Sequence, residues 1–87
     1  MKHHSYLHKI QKHIIKKLYV HNAFTHGHIL YERLQSGVPR HLQGLIKPGL
    51  KELLKENLVL LYGKTKYGLA YQLNITKLKE IEDIIFS

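Results

Sequence analysis

Eighty-seven residues make one domain with a single core and little surface to spare for a second module or a buried catalytic cleft. Fourteen lysines and arginines against six acids give a formal charge of +8, and three of those acids, Glu80, Glu82 and Asp83, lie beyond residue 79, so the rest of the chain is strongly basic and calls for an anionic partner. With no cysteine, disulfides, zinc ribbons and thiol chemistry are excluded; with no apolar leader at residues 1–9 and no apolar run longer than 58–62, a soluble, cytoplasmic protein without a membrane partner is expected.

Leu7, Ile10, Ile14, Ile15 and Leu18 recur at three- and four-residue spacing, which predicts a first helix over residues 6–19. Ser5 is its candidate N-cap and Asn22 the residue that ends it in left-handed geometry. Its outer face carries Lys9, Lys12, His13 and Lys16. A second helix is expected from an N-cap at Thr25 through Ile29, Leu30 and Leu34 to Gly37, although Gly27 weakens its first turn. Residues 38–45 read as a loop holding one helical turn. Pro48 is comfortable only in a first turn, so a third helix is predicted over residues 46–56, with Ile46, Leu50, Leu53 and Leu54 as its buried stripe.

Asn57 falls where a left-handed cap would close that helix, and the spacing then shortens to that of strands. Residues 58–62 and 69–73 are the predicted strands, and residues 63–68 the turn, with Gly63 and Gly68 free to take positive φ at its two ends. A final helix over about 76–86, capped by Asn74 or Thr76, places Leu78, Ile81 and Ile85 on one face with Ile84 on its flank. The reading is a single α+β domain over residues 1–87, mainly α with a β-hairpin, in the order helix, helix, helix, strand, strand, helix.

That order, together with the junction Leu53, Leu54, Lys55, Glu56, Asn57, Leu58 and Val59, resembles the winged helix-turn-helix superfamily, and small MarR-like or ArsR-like regulators in particular. The resemblance covers most of residues 1–74. It implies a DNA-binding transcription regulator whose third helix enters the major groove while the hairpin, or wing, holds the adjacent backbone. Two departures stand out: a longer junction between the second and third helices than a minimal helix-turn-helix has, and Asn57 in place of the usual glycine.

A helical wheel anchored on the buried leucines turns Pro48, Lys51, Glu52 and Lys55 outward, with Lys47 at the edge. The lysines would neutralise phosphates or reach guanine acceptors. Glu52 would accept only from a cytosine amino group, or else it marks a face turned elsewhere. Lys64, Lys66 and Tyr67 at the hairpin tip suit phosphate or minor-groove contact; a charged tip that discourages edge-to-edge pairing is the plain alternative. Arg40, His41 and Gln43 can donate to phosphates from the preceding loop.

Eight histidines include His4 and His8 at one-turn spacing, and His26 with His28, but no carboxylate completes a zinc set nearby, so no metal or other cofactor is expected. Neither Ser5 nor Ser36 belongs to a nucleophile elbow, and residues 63–68 join two strands instead of opening a helix onto a phosphate; no catalytic residue and no enzymatic activity are expected. The expected partner is nucleic acid, duplex DNA before RNA, with RNA binding through the basic first helix or a protein-interaction adaptor as the alternatives. Where the small core cannot cover them, Leu78, Ile81, Ile84 and Ile85 are expected to form a homodimer seam; packing of the last helix back on its own domain is the alternative.

Overall fold

The stripe that marks the first helix is what the fold is built on: Ile14, Ile15 and Leu18 have no exposed surface and Ile10 almost none. The protein's structure is a computed structural model that describes residues 2–87, with side chains from Tyr6 onward; the expected Ser5 cap and the His4 partner of His8 lie outside the described side chains. The first helix, α1, spans Lys2–Val20. Asn22, at φ 54°, ends it as expected. The Asn22 N–H donates to the Tyr19 carbonyl at 3.1 Å and the Ala23 N–H to that of Leu18 at 2.9 Å, the paired bonds of a Schellman cap.

The second helix is much shorter than expected. Ile29–Leu30 form a strand, β1, and only Tyr31–Leu34 are helical (α2). Thr25 sits at φ 41° instead of the extended conformation of an N-cap. The Gly27 N–H bonds back to the Phe24 carbonyl at 2.7 Å, and a Cβ at Gly27 would strike the Asn22 carbonyl oxygen. Ile29 and Leu30 pair instead with Tyr71 and Ala70, so sheet hydrogen bonds override a periodicity that suits either structure.

Residues Arg40–Leu45 form a 3-10 helix, longer than the single turn expected, which leads directly into α3, Ile46–Lys55. Ile46, Leu50 and Leu53 are buried as the stripe predicts, and Leu54 partly so. Asn57, at φ 62°, closes α3 with a second Schellman cap: the Asn57 N–H reaches the Leu54 carbonyl at 3.1 Å and the Leu58 N–H that of Leu53 at 3.0 Å. Because a left-handed alanine costs about 1 kcal/mol, Asn57→Ala should lower the unfolding free energy measured by denaturant titration by about that much, whereas Asn57→Gly should leave it nearly unchanged.

The hairpin strands run further than predicted. Strand β2 covers Val59–Thr65 and β3 Gly68–Leu73, so the turn shrinks to Lys66 and Tyr67. Gly68 takes the positive φ expected of it, 122°, but Gly63 does not: it lies within β2 opposite Ala70, where a register shift leaves Tyr62 unpaired. Thr65 Oγ1 closes the turn by accepting from the Tyr67 N–H at 3.1 Å and donating to the Gly68 carbonyl at 2.8 Å. The antiparallel sheet has the order β1-β3-β2.

Asn74 Oδ1 accepts from the Thr76 N–H at 3.1 Å and caps a 3-10 turn, Ile75–Lys77, that opens α4, Leu78–Ile85. This last helix packs on its own domain: Ile81 is fully buried, with Ile84 and Ile85 against the same core. Ile81 is therefore not available to the expected dimer seam. Tyr19 Oη donates to Glu82 Oε2 at 2.8 Å, tying α1 to α4.

That hydrogen bond, followed by burial and the carboxylate's charge, raises the Tyr19 phenol above its ordinary value of 10.0. A raised value means that the fold holds this proton more tightly than the unfolded chain does. The contribution is complete below the unfolded value and is lost as pH climbs through the raised one. Stability should thus decline from about pH 10 upward, and Tyr19→Phe should flatten that decline in denaturant titrations taken across the alkaline range. Among the described residues, no buried polar or charged residue interrupts the core, and no helix is long and apolar enough to cross a membrane.

Candidate nucleic-acid interface

Core leucines fix which way α3 faces. With Ile46, Leu50 and Leu53 held inward, Lys47, Lys51 and Lys55 are exposed on successive turns, and Pro48 and Glu52 are exposed beside them. On the exposed surface of α3, Glu52 and the pair Lys47 and Lys51 have different neighbours. Glu52 Oε2 accepts from Gln11 Nε2 of α1 at 3.0 Å, and the same nitrogen reaches the Gly49 carbonyl at 3.4 Å. Glu56 lines a crevice with His8, Gln11 and Lys12 of α1. Glu52 of α3 and Glu56 just after it are thus turned to the α1 side, while Lys47 and Lys51 border the opposite side, towards the hairpin.

The Schellman cap at Asn57 sends the chain straight from α3 into β2, which places the hairpin beside the helix. Between them lies a groove of about 560 Å³. Three tyrosines (Tyr31, Tyr67 and Tyr71) and three leucines (Leu50, Leu54 and Leu69) line it, with Lys47, Lys51 and Glu32 also contributing. Tyr31 and Tyr71 meet edge to face, their centroids 6.5 Å apart. Burial, with Tyr31 adding to it, holds the Tyr71 phenol above its usual value, so at neutral pH its ring is uncharged.

Of the expected contact residues, the structure gathers Lys47, Lys51 and Tyr67 around one groove. Lys55, Lys64 and Lys66 are exposed but do not line it, and Lys66 Nζ lies 5.3 Å from the Tyr67 ring centroid. Arg40, His41 and Gln43 are exposed on the 3-10 helix ahead of α3, where Gln43 Nε2 donates to the Val38 carbonyl at 3.3 Å. The ion pair among the described residues, Lys77–Glu80 at 3.9 Å, involves none of the expected contact residues. Sequence reasoning missed Tyr31, Tyr71 and Leu69. Six tyrosines in a chain without tryptophan were the available signal, but only the pairing of β1 with β3 shows that Tyr31 and Tyr71 meet.

Searches against protein-family models, curated proteins and solved structures found no match to this chain.

A second basic surface lies on α1. His13, Lys16, Lys17 and His21 border a depression of about 340 Å³ together with Ser36 and Gly37. Lys17 Nζ donates to the Ser36 carbonyl at 2.6 Å, and burial, helped by the nearby Arg33 charge, lowers its pKa. His13 Nε2 is buried there without a hydrogen-bond partner. His28 stacks on Tyr62, with centroids 4.2 Å apart and planes within 15°. Among the described residues, no three His, Asp or Glu side chains are placed to share a metal ion.

Proposed function

We propose that this chain is a winged helix-turn-helix protein that binds duplex DNA as a transcription regulator, with α3 in the major groove and the β2–β3 wing on the adjacent backbone. One observation carries the reading: Lys47, Lys51 and Lys55 stand exposed along α3, whose carboxylate, Glu52, is held by Gln11 of α1, beside a hairpin bearing Lys64 and Lys66. A helix fits the major groove in width, and lysines on it and on the wing neutralise phosphates and set the register on the duplex. The Gln11 bond to Glu52 favours a positioning role for that carboxylate over a cytosine contact. A cytoplasmic location and a role without catalysis, cofactor or metal belong to the same reading.

The test is a titration of the full chain with duplex DNA across a range of salt concentrations, comparing random fragments with genomic upstream fragments, alongside its oligomeric state. Binding should weaken steeply with salt as counterions are released, and upstream fragments should bind more tightly. Salt-insensitive binding, or none, would overturn the proposal. A second reading, RNA binding through α1, is favoured by exposed Lys9 and Lys16 and by the basic depression at His13, Lys17 and His21. Competition between duplex DNA and structured RNA at equal salt separates the two.

A further inference from the structure

The groove between α3 and the wing carries charge for one phosphate and not for a run of backbone. Its two lysines, Lys47 and Lys51, lie one helical turn apart, while most of its wall is leucine and tyrosine. A phosphate lowered onto the leucine and ring surface would lose water and regain donors only at the two lysines and the tyrosine hydroxyls. A flat ring with an apolar face would instead replace water on leucine and tyrosine surface, and aromatic walls bind nucleobases by their faces irrespective of sequence. A groove of about 560 Å³ is the size of a site for one small ligand.

We propose that this groove takes one unpaired nucleotide of the bound DNA, its base against Tyr67, Tyr71, Leu54 and Leu69 and its phosphate on Lys47 and Lys51. The inference rests on the DNA-binding reading and deepens it, since the preferred target becomes a duplex carrying an unpaired nucleotide. A paired base has its faces hidden in the stack, and extruding it costs a few kcal/mol, whereas a bulged base has already met most of that cost. Glu32, the acid on the groove lining, offers only acceptors and so matches an exocyclic amino group on the base.

The experiment compares two duplexes of equal length and phosphate number, one fully paired and one carrying a single unpaired adenine, each titrated with the full chain by fluorescence anisotropy. The bulged duplex should bind at least about tenfold more tightly, and 2-aminopurine at the bulge should change its emission on binding. Leu69 lines the groove, is 41 % exposed and is not among the expected duplex contacts, so Leu69→Ala leaves the core intact; it should abolish the preference and the emission change while retaining binding to the paired duplex. Equal affinity for the two duplexes overturns this inference alone, whereas failure of both to bind overturns the proposed function as well. Deoxyadenosine 5′-monophosphate binding as tightly as the bulged duplex would also overturn it, because the occupant would then be a free nucleotide.

Discussion

Replacing Lys51, Lys55, Lys64 and Lys66 together by alanine should make the dependence of log affinity on log salt shallower by about three to four. Each of these lysines is exposed, so the substitutions remove charge without opening the core, and circular dichroism should be unchanged. At low salt the loss should reach about a hundredfold or more, and it should shrink as salt rises, because screening already weakens what the lysines contribute. The two halves of the set report on different elements. Lys51→Ala with Lys55→Ala tests α3, and Lys64→Ala with Lys66→Ala tests the wing. Unchanged affinity and slope in the fourfold variant would place the docking face elsewhere, and the α1 surface around Lys9 and Lys16 would then be the surface to test.

How much of this face was legible in the sequence depends on which interactions create it. Helix α3 was readable in bounds and orientation because Pro48 fixes its start, Asn57 its end, and the leucine stripe its inner side, all within ten residues. The exposure of its lysines follows from that stripe alone. The partition of charge does not, because it depends on Gln11 reaching Glu52 across 41 positions of chain. The groove was equally hidden. Its wall joins Tyr31 to Tyr71 through the β1–β3 pairing, and the sequence pattern at Ile29 and Leu30 was absorbed into a helix because Leu34 extends the same periodicity. Gly27 held the corrective signal: a glycine two residues before an apolar pair marks a tight bend as readily as a weak first turn, and only the closeness of the Asn22 carbonyl decides between them. In the hairpin, positive φ was rightly expected of Gly68. Gly63 departs from the expected turn because a glycine in a strand beside a register shift carries the same sequence signature as one in a turn.

Ile81→Ala should be the most damaging of the α4 substitutions, and its mode of failure separates two accounts of that helix. Ile81 has no exposed surface in the single chain and belongs to the same core as Ile14, Leu53 and Val59. Truncating such a residue removes apolar burial and leaves a cavity, together costing about 2–4 kcal/mol. Against a total stability of roughly 5–15 kcal/mol for a domain, that is a large fraction, and at this chain length it corresponds to a fall in Tm of roughly 10–20 °C. Because the contact is internal, the fall should be the same at every protein concentration. A seam residue behaves differently: its loss weakens association, so Tm becomes concentration-dependent and the oligomer dissociates on dilution. Leu78, Ile84 and Ile85 are only partly buried, and Phe86 beside them is 71 % exposed, so a homodimer, if α4 forms one, must be built from these side chains. Phe86→Ala should therefore leave Tm nearly unchanged at low concentration. Thermal unfolding of both variants over roughly a hundredfold range of concentration, read with sedimentation, decides the matter; a concentration-dependent Tm for wild type that Ile81→Ala abolishes would return Ile81 to the seam.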